Sequence, residues 1–365
     1  MSSGNGSSAE DVDATLQRGP EGGSRRIRLL SYNTFLRPPP VGSSTDYKDA
    51  RSKKMVEETI ADFDIVCLQE LFGSYTSRRE KFIANAKRLH KFEYHSKCPI
   101  PSLICSCFTA GGFKVIDGGL VTLSKHNIVE EKFVAFTRGC ESDKLAKKGV
   151  LYSKVLVGQE SGTPAFLNVF STHTQASYTF TADDASSQVK KSQVDELCSF
   201  VSSVFDEKKL SGPVIITGDF NINTLVNEGH DGVVQSEYQH LTSSLEKTFG
   251  ELKAGAVTDV FFEAYGGEHV STTCPYEWQK NGQTEVRSAM FLESEDVPGD
   301  TEATFWASQR LDYCFLVNPS NESKSSCTSS AVVRSCKVEP FLTPGEPYRQ
   351  LSDHNALVFE FDLST

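Results

Sequence analysis

The chain has 365 residues, a formal net charge of −11 and 38% hydrophobic residues, 24 of its residues being Phe. A chain of this length and composition can bury a large core. The negative charge disfavours wholesale electrostatic binding to nucleic acid or to an anionic membrane, although it leaves room for a local basic patch.

The predicted elements alternate between apolar strand runs and helices with periodic apolar positions. Residues 1–25 are rich in Gly, Ser and acidic side chains and are predicted to form a disordered tail. Strand–helix units and consecutive strands both follow, which predicts an α/β fold with two sheets packed face to face and helices outside. In chain order the predicted elements are strand 26–32, helix 48–62, strand 65–69, helix 75–90, strands 119–124, 133–136, 151–157 and 166–171, helix 186–208, strand 214–217, helix 238–249, and strands 314–317, 331–338 and 356–361.

Cysteine use and hydropathy bear on location. The ten cysteines include no Cys-x-x-Cys pair, so a structural zinc site is not expected. Cys327 and Cys336 flank a polar loop and could pair in a secreted protein, whereas reduced thiols in a cytosolic protein are the favoured interpretation. No run approaches a transmembrane span, and the N-terminus lacks an apolar signal core. We therefore expect a cytoplasmic or peripheral membrane location, with secretion left open.

Polar clusters stand where five apolar runs begin or end. A sixth cluster, Leu351-Ser352-Asp353-His354, precedes the last predicted strand. Strand ends can converge on one rim of a packed sheet, and this set combines carboxylates, amides and two histidines. That inventory suits a divalent metal and cleavage of a phosphate ester. The polar residues at the five runs are Asn33, Glu70, His173, Asp219, Asn221 and Asp312.

These clusters together resemble the endonuclease/exonuclease/phosphatase superfamily of metal-dependent phosphoesterases. The resemblance spans roughly residues 26–363 and its motif set is complete. It implies a four-layer α/β sandwich in which residues 26–365 form a single catalytic phosphodiesterase domain. The motif residues are Asn33, Glu70, His173, Asp219-x-Asn221, Asp312 and Asp353-His354.

Two further motifs narrow the resemblance to one branch of the superfamily. One covers residues 117–125, DGGLVTLSK, and the other covers residues 143–149, DKLAKKG. The motif of residues 143–149 resembles the Asp/Lys loop of neutral sphingomyelinases. The resemblance implies Mg²⁺-dependent hydrolysis of sphingomyelin, or a related choline phospholipid, to ceramide and phosphocholine at a membrane surface, with Mn²⁺ as an alternative ion. It does not explain the polar, acidic stretch 280–304, which is predicted to be a long inserted loop.

Oxygen donors make up the predicted metal site. Glu70 is the preferred ligand because an anionic oxygen suits a hard Mg²⁺ ion. Asn33 offers an amide oxygen to the same ion or an N–H group to the phosphate. Asp219 and Asn221 stand two apart, so on an extended segment both side chains point to one face. They are predicted to hold the nucleophilic water and a phosphate oxygen, or a second metal.

Histidines and carboxylates make up the predicted catalytic set. His354 is the predicted general base, because its ordinary pKa lies near neutrality. Asp312 is predicted to orient its ring, and Asp353 to support the metal or the water. His173 is predicted to hydrogen-bond the pentacoordinate phosphorus centre.

The loop 138–149 is predicted to select the lipid. Asp143 and Lys148 are five apart, too far for a helical ion pair, but a folded loop can join them. We expect the two side chains to pair over the active site when lipid is engaged. Lys148 can instead reach the substrate phosphate.

Three other functions compete with this interpretation. A nuclease of the same superfamily, abasic-site or deadenylating, needs basic and stacking surfaces, whereas this chain is acidic and has two Trp. Nucleic acid is therefore not expected as a partner. A phosphoinositide phosphatase needs a Lys and Arg cluster, and a non-catalytic scaffold conflicts with the complete motif set. The apolar stretch 99–108 is either a loop that dips into the lipid interface or a buried strand. The sequence does not predict the oligomeric state.

Overall fold

The described part of the chain contains two six-stranded mixed sheets, two small two-stranded pairs and five α-helices. The computed structural model describes residues 24–39, 47–101, 114–160, 163–177, 185–205, 211–225, 231–273, 275–280, 283–288, 309–320, 329–348 and 350–364. The predicted tail therefore lies almost entirely outside the described residues. Of the helices in this part of the chain, none is long and apolar enough to cross a membrane.

The first sheet contains both ends of the described chain. Its strands are β1 (Ser24–Leu36), β2 (Ile65–Leu71), β3 (Tyr94–Lys97), β5 (Val121–Ser124), β15 (Ser330–Glu339) and β16 (Ala356–Ser364). They lie in the order β15-β16-β1-β2-β5-β3. β1 and β2 are parallel, so their carboxyl ends reach the same edge. Helix α2 (Arg78–His90) contributes to the apolar layer that packs on its outer face, together with Met55 and Val56, which follow helix α1 (Lys48–Lys54).

The second sheet is built from the middle of the chain. Its strands are β6 (Asn127–Ala135), β8 (Gly149–Glu160), β9 (Thr163–His173), β10 (Val214–Asp219), β11 (Val257–Asp259) and β14 (Asp312–Val317). They lie in the order β11-β14-β10-β9-β8-β6, and β9 and β10 are parallel. Helices α3 (Ala185–Phe205) and α4 (Asp231–Glu251) lie outside this sheet, and the short α5 (Val260–Ala264) follows β11.

The two sheets pack face to face and form a four-layer α/β sandwich, as predicted. Alternation along β1 explains the layering, because successive side chains point to opposite faces of a strand. Ile27 and Leu29 enter the core between the sheets, and Leu30 and Tyr32 enter the core beneath the helices. Strands buried on both faces read as continuous apolar runs, which is why the central strands stand out in the sequence.

Several predicted boundaries are wrong. The helix predicted over 48–62 is α-helical only to Lys54 and continues as a π-helical turn, Met55–Thr59. The helix predicted from residue 75 begins at Arg78, because Tyr75 has a φ of 60° and cannot belong to an α-helix. The structure also contains β3, β11 and α5, which the sequence does not predict.

The inserted stretch 280–304 is not simply a loop. Strands β12 (Pro275–Lys280) and β13 (Gln283–Ser288) form an antiparallel hairpin at its start. Residues 289–304, and most of the apolar stretch 99–108, lie outside the described residues. The remaining pair joins β4 (Ile116–Asp117) to β7 (Ala146–Lys147), and so connects the two motifs of residues 117–125 and 143–149.

Buried thiols in the described chain are free, including Cys67, Cys98, Cys314 and Cys336. Burial raises the pKa of Cys67, Cys98 and Cys336 to about 12, so these side chains act as small apolar groups. Cys327, the other half of the disulfide considered for a secreted protein, lies outside the described residues.

Candidate active site

Parallel strand pairs bring the predicted residues to one edge of the sandwich. Asn33 lies near the end of β1, Glu70 near the end of β2 and His173 at the end of β9. The register of the second sheet aligns the other residues of the site. Asp219 on β10 is the register partner of His173 on β9 and of Asp312 on β14. The convergence expected from the strand ends is therefore present.

Asp219 lies at the centre of this cluster. Its Oδ2 atom accepts a hydrogen bond from Asn33 Nδ2 at 2.9 Å and lies 3.5 Å from His173 Nε2 and 3.7 Å from His354 Nε2. Burial, with Asp312 acting in the same direction, raises the pKa of Asp219 to about 7. A buried carboxylate of this kind is stabilised in its charged form by a nearby cation.

His354 and Asp312 have the geometry that an orienting pair requires. His354 Nδ1 lies 2.8 Å from Asp312 Oδ2, and both side chains are buried. Burial lowers the pKa of a histidine, but the Asp312 and Asp219 carboxylates outweigh it here and raise the pKa of His354 well above its ordinary value. The Nε2 atom is left facing Asp219 at the centre of the site.

Glu70 reaches the site from a strained backbone. Its φ is 55°, in the left-handed region that non-glycine residues rarely adopt. Its Oε1 atom lies 3.3 Å from Asn33 Nδ2, while Oε2 is buried without a hydrogen-bond partner among the described residues. Burial and the neighbouring Asp353 carboxylate raise the pKa of Glu70 above its ordinary value. The Asn33 oxygen accepts from the Phe35 N–H at 3.0 Å.

These oxygen atoms fit a hard divalent cation. The unpaired Glu70 oxygen is the first observation, since a buried orphan acceptor is costly unless something binds it. The second is that Asp219, Asp312 and His354 each offer a ligand atom within 4.8 Å of one another. The predicted set of Glu70, Asn33, Asp219 and Asn221 shares only Asp219 with that group.

The predicted ion pair of the loop 138–149 is formed. Lys148 Nζ lies 2.6 Å from Asp143 Oδ2, and donates to the Thr174 carbonyl at 2.8 Å. The same ammonium lies 3.0 Å from His173 Nε2, so the pair touches the site directly. Burial, together with the positive charges of Lys148 and His354, lowers the pKa of His173 well below its ordinary value and keeps its ring neutral.

Asp219 and Asn221 do not lie on an extended segment, so the prediction that both side chains point to one face is wrong. Asn221 has a φ of 50°, and its backbone N–H donates to Asp219 Oδ1 at 2.9 Å in a tight turn. Its side-chain Nδ2 donates to the Thr174 carbonyl at 3.2 Å. Asp353 is half-buried beside Ser352, whose hydroxyl lies 3.3 Å from its Oδ1.

Most of the residues that hold the site residues in place have no recognisable sequence pattern. Ser352 Oγ donates to the Asn33 carbonyl at 2.6 Å and so ties the C-terminal cluster to β1. Thr272 Oγ1 accepts from the Asp312 N–H at 3.1 Å. Asp117, fully buried, accepts from the N–H groups of Gly73 and Ser74 beyond Glu70. Asp117 belongs to the motif of residues 117–125, whereas no local pattern marks Thr272.

A four-layer α/β sandwich with carboxylates, amides and two histidines at one edge defines a class of phosphoesterases. Residues 30–354 match the profile of the Endonuclease/Exonuclease/phosphatase family. The chain belongs to that family.

Named relatives and solved structures agree with this assignment. A sphingomyelinase of Dictyostelium discoideum is 29% identical over 357 residues, covering 86% of this chain and 74% of that protein. Sphingomyelinase C of Bacillus cereus is 26% identical over 227 residues, covering 60% of this chain and 63% of the relative, which is less than two thirds of its length.

Sphingomyelinase C from Streptomyces griseocarneus superposes with a TM-score of 0.56 at 17% identity, over 92% of this chain and 99% of that chain. TDP2 of D. rerio, solved with a single-strand DNA product, has a TM-score of 0.50 at 15% identity over 92% of this chain and 98% of that chain. At these identities the structural likenesses show the fold alone.

Proposed function

We propose that this protein hydrolyses sphingomyelin to ceramide and phosphocholine in a Mg²⁺-dependent reaction. One observation carries the proposal: the Asp143–Lys148 pair reaches into the cluster of buried carboxylates and histidines through the contact of Lys148 with His173. The similarity to proteins named sphingomyelinase, over 86% of this chain in the Dictyostelium case, supports the same substrate.

Carboxylate and amide oxygens would hold the cation. Mg²⁺, or Mn²⁺ in its place, supplies charge neutralisation for the phosphate oxygens when bound. Glu70 offers an unpaired buried oxygen, and Asp219 and Asn33 lie next to it. In the observed orientation Asn33 donates N–H bonds to both carboxylates and its oxygen accepts from the Phe35 N–H. A reversed amide would present the oxygen to the cation and would give up the bond from Phe35. Asn221 is proposed to hold the nucleophilic water and a phosphate oxygen, or a second metal, and Asp353 to support the metal or the water.

His354 is proposed to take the proton from the attacking water. Asp312 accepts from Nδ1, which fixes the ring and directs Nε2, the atom that would take the proton, toward the centre of the site. The carboxylates that raise the pKa of His354 also stabilise the imidazolium that forms when the ring accepts a proton. A positioned general base of this kind contributes about 10²–10⁴-fold to the rate.

Lys148 is proposed to exchange partners when the substrate arrives. It is buried, and its ammonium bonds Asp143, His173 Nε2 and the Thr174 carbonyl. While Lys148 donates to Nε2, His173 acts there as an acceptor. A move of Lys148 to the substrate phosphate leaves Nε2, after the ring changes tautomer, free to donate a hydrogen bond to an oxygen of the pentacoordinate phosphorus centre. The pairing itself is formed by the protein's own fold, so lipid engagement is proposed to break it rather than to form it.

The substrate requires contact with a membrane surface. We propose a cytoplasmic or peripheral membrane protein that meets sphingomyelin, or a related choline phospholipid, at the lipid interface. A single catalytic domain over residues 26–365 is part of the same proposal.

Release of phosphocholine from defined lipid vesicles tests the proposal. The purified full chain should release phosphocholine from sphingomyelin with Mg²⁺ and none after removal of the metal. Phosphatidylcholine, lysophosphatidylcholine and a single-stranded oligonucleotide should be assayed beside it under the same conditions. Faster cleavage of the oligonucleotide than of sphingomyelin would identify a nuclease and refute the lipid assignment.

A further inference from the structure

A polar cavity in the described chain is lined by none of the residues of the proposed catalytic site. It measures about 340 Å³ and lies between α1 and α2. That volume is within the range of small-molecule sites, about 300–1,000 Å³. Its lining is basic and hydroxylic, with three cations against one carboxylate in a chain whose net charge is −11. The residues used below are Asp49, Lys53, Thr76, Ser77, Arg78 and Lys81.

Arg78 is the clearest sign that the cavity takes an anion. Its side chain is only 11% exposed, and its Nε atom donates to Asp49 Oδ1 at 2.9 Å. Its Nη1 atom is buried without a hydrogen-bond partner among the described residues. A buried guanidinium nitrogen of this kind is costly to leave unpaired, and phosphate or carboxylate oxygens match its geometry best.

The rest of the lining complements a phosphate. Lys53 and Lys81 are exposed at the cavity, and neither forms an ion pair with a described residue. Ser77 precedes the first residue of the 13-residue α2, and its hydroxyl does not cap the helix. Ser77 and the first turn of α2, which carries the positive end of the helix dipole, line the same cavity as the cations, although the Arg78 N–H already donates to Thr76 Oγ1 at 3.2 Å.

The position of the cavity relates it to the catalytic edge of the protein. The loop 72–77 joins Glu70 on β2 to α2. On the other helix, Arg51 donates to the carbonyls of Thr34 at 3.1 Å and Leu351 at 2.7 Å, next to Asn33 and Ser352. The helices on both sides of the cavity are thus connected, through the loop 72–77 and through Arg51, to segments that carry catalytic residues.

We propose that this cavity is a binding site for a phosphate group, carried by an anionic phospholipid headgroup or by free phosphate. The site does not depend on the proposed hydrolysis, because none of its residues lies in the catalytic set. A headgroup bound there would hold the protein at an anionic membrane despite its overall negative charge.

Calorimetric titration with inorganic phosphate tests the site directly. The full chain is titrated in excess EDTA, so that metal at the catalytic site does not recruit the anion. We expect saturable binding with a dissociation constant of about 1 mM or tighter. The double variant Lys53→Gln/Lys81→Gln should bind roughly tenfold more weakly, since each lost charge-assisted contact is worth a large part of that factor. Arg78→Gln should weaken binding to a similar degree.

Matched controls separate this site from others. Lys87→Gln/Lys91→Gln removes the same charge near the other end of α2 and should bind phosphate as the wild type does. His354→Ala alters the catalytic site and should also bind normally. Unchanged affinity in Lys53→Gln/Lys81→Gln, or loss of binding in His354→Ala, would overturn the proposal.

Sedimentation with vesicles distinguishes the two sources of phosphate. Phosphatidylcholine vesicles are compared with vesicles that also contain phosphatidic acid. Greater co-sedimentation on the acidic vesicles, lost in Lys53→Gln/Lys81→Gln and kept in Lys87→Gln/Lys91→Gln, identifies the headgroup as the ligand. Calorimetric binding without that difference identifies free phosphate. Absence of both effects in the wild type refutes the site.

Discussion

The two sheets contribute to the site by different structural means. On the second sheet, Asp219, Asp312 and His173 follow from regular ladder register between neighbouring strands. On the first sheet, Glu70 reaches the site with a φ of 55° and an unpaired carboxylate oxygen. The regular half holds hydrogen-bonded groups suited to proton transfer. The strained half presents an oxygen that lacks a partner among the described residues and suits a cation.

This difference shows that the fold gives up some folding free energy to position Glu70. A left-handed backbone at a residue other than glycine costs on the order of 1–3 kcal/mol, and persists only where the surroundings fix it. Gly119 and the buried Asp117 provide those surroundings. The Leu71 N–H donates to the Gly119 carbonyl at 3.0 Å, and Asp117 Oδ1 accepts from the Gly119 N–H at 2.9 Å.

Removing the metal should have the largest effect on activity, because the cation that Glu70 of the strained half is proposed to bind would then be absent. Activity on sphingomyelin should vanish in excess EDTA and return with Mg²⁺ or Mn²⁺, since the donor set is oxygen-based. Phosphocholine release measures both. Full turnover in excess EDTA would exclude a metal-dependent mechanism.

Truncating the base removes the partner of Asp312 on the regular half, since His354 itself precedes β16 of the first sheet. His354→Ala should lower kcat by about 10²–10⁴-fold, the usual contribution of a positioned general base. Asp312→Asn should act in the same direction but more mildly. Circular dichroism should show an intact fold, and His240→Ala, a histidine paired with Asp195 on the helical surface, serves as the control. A loss smaller than tenfold would place the base elsewhere.

Loss of the Asp143–Lys148 pair should reduce turnover of a lipid substrate more than turnover of a soluble one. Asp143→Ala and Lys148→Ala should lower sphingomyelin turnover by roughly tenfold to a hundredfold, the value of one charge-assisted contact. A small soluble phosphodiester should be affected much less. Lys144→Ala changes an exposed lysine in the same loop and is the control.

Equal losses on both substrates would make the pair part of the general catalytic framework. Wild-type rates on sphingomyelin would remove the main reason for preferring this lipid.

The smallest effect is expected from a substitution at Gly119, which supports the strained backbone of Glu70. A Cβ at Gly119 would lie 2.9 Å from Glu70 Cα, at a φ of 67°. Gly119→Ala should therefore lower the free energy of unfolding by about 1–3 kcal/mol and raise the Mg²⁺ concentration needed for half-maximal activity. Gly250→Ala, where nothing lies within 4 Å of the new Cβ, is the matched control. Thermal unfolding and calorimetric Mn²⁺ binding measure the two effects, and an unchanged Mn²⁺ affinity would show that Gly119 does not support Glu70.

Much of the fold was predictable because its signals are local. Buried central strands such as β2 and β10 are continuous apolar runs, and α3 shows periodic apolar positions. The elements that the sequence does not predict are short or depend on partners far along the chain. β11, for example, consists of three residues that pair with β14. The π-helical turn after α1 contains no proline or glycine that would mark it in the sequence.

The sequence by itself determined which chemical groups the site contains, because polar residues that interrupt apolar runs at strand ends are visible without coordinates. It also placed Asp143 and Lys148 in one loop. Only the tertiary structure decided how these groups meet. Strand register aligns Asp219 with both His173 and Asp312, and a left-handed turn rather than an extended segment positions Asn221. Contacts such as Asn33 with Asp219, 186 residues apart, arise from the packing of two sheets, and no local pattern encodes that distance.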